Sequence, residues 1–531
     1  MLMAIAILTL LLTPLAMLVV RLVRPRFGYQ WLVAVIGALL AWSMILLAKP
    51  SQPYWVQLIR WQLESVSPTP LALWIDQFSW PYAFILSSLC LAVLLTAVAR
   101  FGQVADWRSW AASLSLGSLG ILAVLAGNLL TLMIFWAALD LVETLILLSQ
   151  SDDRFIRERV VTTFSMRIAT YTVLILGGIS VWSSGTVMQM DVLPIQSSLW
   201  LLLAAGLRLG MPPFHEFIYQ ELPKRRGLGG MLRLTSAAAG LALLTRVAAT
   251  GILNQYIPAL FALAAFSAFY SAVNWFTPRA EASTDKFWVL GGASLALASS
   301  VLGQPYSSLA WGAACLLAGG LFFLGWPRHR NITLLLLVGV IGFTALPLTV
   351  AWNGTGLYLA PFIAPLSSML ILTILLTLVF LLSHAMLLYG YLRRALAVDS
   401  VVEVDRWVWL VYPAGLALLA LVTLLMGLWL RPDFNELPLI AWLGGLIASG
   451  IAGILWYWTH REASTQEVFA GSSFLVALGR IFSFNWLKRG VQSLYHIIAR
   501  ALSFVNSVLE GEGGVLWAIL ILVCLFAISQ M

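Results

Sequence analysis

Charge is scarce in this sequence of 531 residues. Only 10% of it is Asp, Glu, Lys or Arg, against 61% hydrophobic residues. A soluble chain of this length must clothe its exterior in polar groups, so the balance excludes a water-soluble domain. Cysteine is scarce as well. Cys90, Cys315 and Cys524 each stand singly in an apolar run with no CxxC pair or His cluster, which argues against a disulfide framework, a zinc site or an iron–sulfur cluster. No dinucleotide-fold signature or haem ligand pattern is present either. The first run, "MLMAIAILTLLLTPLAMLVV", has no basic n-region and no small-residue cleavage site, and reads as a retained helix rather than a signal peptide.

What the chain does have is a succession of apolar runs of about 20 residues, each long enough to cross about 30 Å of hydrocarbon. About sixteen can be marked, from 3–20 to 514–529, and they predict an all-α polytopic membrane protein. The loops between them alternate in charge. One side collects nearly all the Lys and Arg, from Arg21, Arg24 and Arg26 to Lys488, Arg489 and Arg500, while the other has Lys49, Arg60 and Arg431. The positive-inside rule makes the basic side cytoplasmic and puts both termini on the outer side of a bacterial inner (cytoplasmic) membrane, or of an equivalent energy-coupling membrane. The net charge of +8 is then topological and calls for no nucleic acid. Lipid is the expected surrounding.

Four basic residues lie within or at the edge of apolar runs: Arg167, Arg208, Arg233 and Arg246. Asp140 and Glu143 are the carboxylates deep in one. Such groups are costly in a membrane helix and by default mark a functional pathway with a partner; the alternatives are an interhelical ion pair or a snorkelling arginine. Asp140 and Glu143 share a helix face, so one is expected to be protonated or paired with Arg167 or Arg208. Arg208 also stands beside Pro212, Pro213 and His215 in "GLRLGMPPFHEFIYQELPKRRG", a stretch with proline where a membrane helix would carry leucine.

That stretch resembles a helix of the antiporter-like subunits of respiratory complex I (NADH:quinone oxidoreductase) and of multi-subunit cation/proton antiporters, Lys-Ser-Ala-x-x-Pro-x-His-x-Trp-Leu. In "RLGMPPFHEFI", Arg208 stands at the lysine, Pro213 at the proline and His215 at the histidine. "LTSAAAGLALLTR" resembles the following helix, with Thr235, Gly240 and Arg246 in place once one loop deletion is allowed. "LALWIDQFSWPYAFIL" puts Asp76 at the aspartate of the third-helix segment, and "GNLLTLMIFWAALDLVETLIL", "TTFSMRIATYTVLILG", "STDKFWVLGGASLALAS" and "GFTALPLTVAWNGTGLYLA" follow in family order. The resemblance spans roughly 70–360 and is nearest the large distal subunit type.

The resemblance implies two inverted five-helix units, each with a helix broken at mid-membrane, and a central row of Glu, Lys, His and Lys along which protons move. It places the breaks at Pro212–Pro213 and Pro347. It also exposes departures. Ala137 takes the place of the glutamate, with Asp140 three residues on and Glu143 six; Arg208 replaces the lysine, and arginine does not release its proton. Thr170 replaces the sixth-helix aspartate, Leu232 or Arg233 the eighth-helix histidine, and Thr355 the exit lysine. Three readings stay open: a second-half alignment offset by a few residues, conduction by another route through Asp140, Glu143, His215, Lys286 and His384, or a degenerate subunit that packs, seals and transmits.

The expected organisation is 1–108 N-terminal helices, 109–252 first inverted unit, 256–395 second, 396–458 C-terminal helices, 459–513 an amphipathic linker helix on the cytoplasmic side, and 514–531 a last span. In the linker, Trp486, Leu487, Val491, Leu494, Ile497, Leu502, Val505 and Val508 recur at helical spacing with Lys488, Arg489 and Arg500 between them. The expected role is a membrane-arm subunit with no metal, cofactor or redox centre of its own, working with other membrane subunits and with redox subunits elsewhere in the complex. The alternative is a subunit of a non-redox cation/proton antiporter or an inorganic-carbon uptake complex.

Overall fold

The computed structural model describes residues 1–461 apart from 25, 60–69, 101–105, 151–153, 186–187, 213–225, 278–280, 326–329, 364–365, 398–407 and 431–438; beyond these it describes positions 490, 493, 497, 500 and 503. Those last positions are helical and belong to a separate unit, Gly471–Met531. The rest of the expected amphipathic helix and the whole final run lie outside the described residues.

The apolar runs form helices in the order expected: α1 (Leu2–Val23), α2 (Gln30–Leu47), α3 (Ser79–Thr96), α4 (Trp107–Val124), α5 (Leu129–Gln150), α6 (Arg154–Ser183), α7 (Ser198–Arg208) and α8 (Arg226–Thr250). They continue as α9 (Ile257–Phe276), α10 (Glu281–Val301), α11 (Pro305–Leu324), α12 (Arg330–Phe343), α13 (Leu370–Leu396), α14 (Val408–Trp429) and α15 (Leu439–Arg461). Eleven helices among the described residues are long and apolar enough to span a bilayer. The chain is an all-α polytopic membrane protein with one local exception. Outside the hydrocarbon runs, β1 (Tyr54–Ile59) and β2 (Leu71–Ile75) form an antiparallel hairpin, with Trp55 stacked on Trp74 at 5.5 Å. The outer edge of β2 is met by the backbone after α4, with the Trp74 amide donating to Leu125 O at 2.8 Å and the Gly127 amide to Ala72 O at 2.9 Å.

Helices α4 to α8 pack as a closed ring, each on the next and α8 back on α4; α9 to α13 repeat that neighbour order, with α13 back on α9. Between the rings α8 packs on α10 and α11, while α14 leans on α3 and α12, and α15 on α13. Glycine permits the closest approaches: a Cβ at Gly120 of α4 would come within 2.2 Å of Thr235 of α8. Faces of α1, α6, α13 and α15 present exposed Leu, Ile and Val, as a surface in hydrocarbon requires.

Two helices stop short, each at the residue four positions before a proline. α7 ends at Arg208, four before Pro212, and α12 at Phe343, four before Pro347. The physical cause is common to both: a helical proline's ring clashes with the carbonyl four residues back. The expected breaks therefore begin earlier than the prolines themselves. With 11 residues, α7 covers about 16 Å, half the hydrocarbon thickness. Its end is closed by Gly210 at φ +72°, with the Gly210 amide donating to Leu207 O and the Met211 amide to Gly206 O, both at 3.0 Å. This is a Schellman closure. Pro213 and His215 lie outside the described residues. After α12, Ala345 and Leu348 take φ of 57° and 67°, uncommon for residues with a side chain, and 3₁₀ turns at Trp352–Phe362 and Leu366–Met369 lead into α13.

Candidate functional site

The first break ends in a buried cluster of charges. α5 presents Asp140 and Glu143 on one face, α6 brings Arg167 and Tyr171 one turn apart, and α7 contributes its last residue, Arg208. Arg208 grips Asp140 with both ends of its guanidinium, Nη1 to Oδ2 at 3.0 Å and Nη2 to Oδ1 at 2.9 Å. Arg167 Nη1 donates to Asp140 Oδ1 at 3.0 Å and to Glu143 Oε2 at 2.5 Å, and its Nη2 to Glu143 Oε1 at 2.8 Å. The Tyr171 hydroxyl donates to Asp140 Oδ2 at 2.5 Å. Each oxygen of Asp140 thus accepts two bonds, at least one from an arginine.

Burial makes this pairing obligatory. The side chains of Arg208 and Asp140 are 0% exposed. Moving one such ion out of water costs several kcal/mol even after relaxation, roughly, and only close partners with good geometry offset it. The cluster provides two carboxylates and two guanidiniums, with no net charge. The Arg208 guanidinium also lies 4.3 Å from the ring centre of Trp136, one turn before Asp140, and its place at a helix C-terminus favours a cation. Sequence left open whether one carboxylate is protonated or both are paired; here each has an arginine. Ala137, at the glutamate position of the resembled pattern, is exposed, so the face turned inward is the one bearing Asp140. Thr170 is buried and donates to Arg167 O on its own helix.

The remaining candidates lie apart from this cluster. Arg233 of α8 donates to Asp285 of α10 at 2.8 Å, joining the two rings, and the neighbouring Lys286 ammonium lies 5.3 Å from the Phe287 ring centre. Arg246 makes a buried two-point pair with Asp76, Nη1 to Oδ2 at 2.6 Å and Nη2 to Oδ1 at 2.9 Å, with its guanidinium 3.9 Å from the Trp74 ring centre. Asp76 Oδ1 also accepts from the amides of Phe78 and Ser79, which open α3. His384 of α13 sits at the second break, its Nε2 2.8 Å from Phe343 O and its Nδ1 2.8 Å from the Tyr358 hydroxyl. Thr355 is buried and donates to Trp352 O. Sequence reasoning gave no role to Tyr171, although it stands four residues from Arg167 and so on the same helix face, which was a readable signal. Nothing in the sequence joined Tyr358 to His384.

No protein-family model matches the sequence, and no curated protein does. Solved structures do match it in fold. Over 99% of its length the chain superposes on a chain in the Mrp complex from Dietzia sp. DQ12-45-1b, with a TM-score of 0.73 and 12% identity, and it spans 63% of that longer chain. A chain of the membrane-bound sulfane sulfur reductase, an archaeal respiratory membrane complex, matches with a TM-score of 0.67 and 14% identity over 98% of this chain and 99% of that one. Respiratory complex I from Thermus thermophilus with bound aureothin contributes a third, with a TM-score of 0.59 and 18% identity over 80% of this chain and 98% of that one. The chain therefore shares its fold with chains of these three membrane complexes.

Proposed function

We propose that the chain is a membrane subunit of a complex I-like respiratory assembly, in which its first ring holds a locked, charge-neutral cluster and relays no protons itself. The observation that carries this reading is the hold of two arginines on Asp140, with no lysine in the cluster among the described residues. Arg208 keeps its proton, and both oxygens of Asp140 are occupied by donors from Arg208, Arg167 and Tyr171, so the pair is poorly suited to supply the switchable group that each hop of a proton path requires. The respiratory setting is favoured by length: the match to the sulfane sulfur reductase chain is end to end. Redox chemistry then belongs to partner subunits. The rings, expected at 109–252 and 256–395, act as inverted units, because five spans are an odd number and return the chain to the opposite face. Both termini face outward from an energy-coupling inner membrane, with the basic loops inside.

A second reading, a non-redox cation/proton antiporter or inorganic-carbon uptake complex, has in its favour the TM-score of 0.73 to the Mrp complex chain. Purification of the tagged chain from native membranes separates the two. Flavin- and iron–sulfur-bearing partners are expected. A set of small membrane subunits, or a soluble zinc protein, in their place would transfer the chain to the second reading.

A further inference from the structure

A broken membrane helix frees backbone carbonyls, which must find donors in protein or in water. At the second break of this chain, named protein donors take them. Phe343 O, at the end of α12, lies 2.8 Å from His384 Nε2. Thr344 O accepts from Ser449 Oγ of α15 at 3.4 Å, and Gly342 O from the Ala351 amide at 3.1 Å. Beyond the break, Gly354 O accepts from Trp311 Nε1 at 3.0 Å, and Gly356 O from Gln304 Nε2 at 3.1 Å.

Among these donors His384 occupies a distinctive position. Its ring touches both halves of the broken helix, Phe343 before the break and Tyr358 after it, and it is 0% exposed. A carbonyl oxygen can only accept, so Nε2 carries the hydrogen, and Nδ1 accepts from the Tyr358 hydroxyl. The rings of Trp311 and Phe343 stand nearly perpendicular to the imidazole, with centroids at 4.9 and 5.5 Å, a wall without charge. Between the clasped ends run Ala345 and Leu348 in left-handed backbone, a conformation that persists only where the surroundings enforce it. The wall does have an edge: Gln304 Oε1, half-buried at the start of α11, has no donor among the described residues.

We propose that His384 is a positioning residue that clasps the two halves of the second broken helix and keeps that break dry, so that the second ring seals the membrane rather than hydrating a channel. This goes beyond the reading of the first-ring cluster and does not depend on which assembly the chain joins.

The test is thiol accessibility in the detergent-solubilised complex, with Cys90, Cys315 and Cys524 first replaced by alanine. Thr355→Cys, buried one turn before Tyr358, probes the break, and Gln57→Cys, exposed on β1, is the control. Thr355→Cys is expected to react at least ~100-fold more slowly than the control, and His384→Phe, which keeps an aromatic ring but removes the donor, to raise its rate about tenfold or more, with Tyr358→Phe giving a smaller rise. A buried first-ring site, Ser118→Cys, serves as the folding check and stays unreactive in both variants. Fast labelling of Thr355→Cys in the His384 protein, or an unchanged rate in His384→Phe, overturns the proposal. Either result leaves the first-ring reading standing, because that reading is tested by partner composition and by ion transport.

Discussion

Arg208→Ala removes the residue that holds both oxygens of Asp140, and its cost can be worked out from the structure. Taking one partner from a buried ion pair costs about 3–5 kcal/mol, because the other charge is left in the interior. Asp140 keeps Arg167 Nη1 and the Tyr171 hydroxyl, which places the loss at the low end of that range. Losing the desolvated contact with Trp136 adds about 2 kcal/mol. The expected total is about 5 kcal/mol, or between three and four orders of magnitude in the folding equilibrium at roughly 1.4 kcal/mol per tenfold. Reversible unfolding in a detergent titration, followed by tryptophan fluorescence, measures this. Arg208→Lys keeps the charge without the fork and is expected to lose about 1–2 kcal/mol. The decisive comparison is the double variant Asp140→Asn with Arg208→Gln, which removes both charges and leaves Arg167 to Glu143. It should recover at least ~2 kcal/mol relative to Arg208→Ala, since a pair is costly chiefly when broken on one side. If Arg208→Ala is as stable as the parent, or the double variant is no better than the single, the ion-pair reasoning is refuted.

Other outcomes follow from the same geometry. Arg246→Ala strands Asp76 in a buried pair at the start of α3 and should cost about 3–5 kcal/mol, seen as loss of folded protein in membranes by fluorescence-detected size exclusion. Tyr171→Phe withdraws one hydroxyl from an ionised Asp140 and should cost about 1.5–3 kcal/mol in the same unfolding titration. A Cβ at Gly427 of α14 would come within 2.2 Å of Leu348 O, so Gly427→Ala is expected to destabilise by about 1–3 kcal/mol or more. Gly453→Ala in α15, where nothing lies within 4 Å, should be neutral or stabilise by up to about 1 kcal/mol; heat-challenge midpoints of the two variants check the pair.

The order of the helices among the described residues was legible because hydrocarbon thickness fixes the length of each apolar run, and loop charge fixes the alternation. The hairpin was not, since residues 54–75 carry no span-length run and strand pairing there depends on contacts such as Trp55 with Trp74. Proline marked both breaks, although the helix ends fall four residues earlier, where the ring would strike a carbonyl. Asp140, Glu143, Arg167 and Arg208 were readable as members of one site because each is costly alone in a membrane. Which arginine takes which carboxylate was not readable, since it depends on how α5, α6 and α7 meet. The pairing of Arg246 with Asp76, separated by 170 positions, was hidden for the same reason: sequence spacing says nothing of contacts between distant elements.

As a fixed, neutral lock, the first-ring charges would relay no protons. Proton translocation per redox turnover, measured with the purified complex in sealed proteoliposomes, tests this most directly in the Asp140→Asn, Arg208→Gln double variant. With assembly and turnover retained, the stoichiometry should match that of the parent protein. A complex that assembles and turns over but translocates fewer protons would contradict the claim and identify the cluster as part of the path.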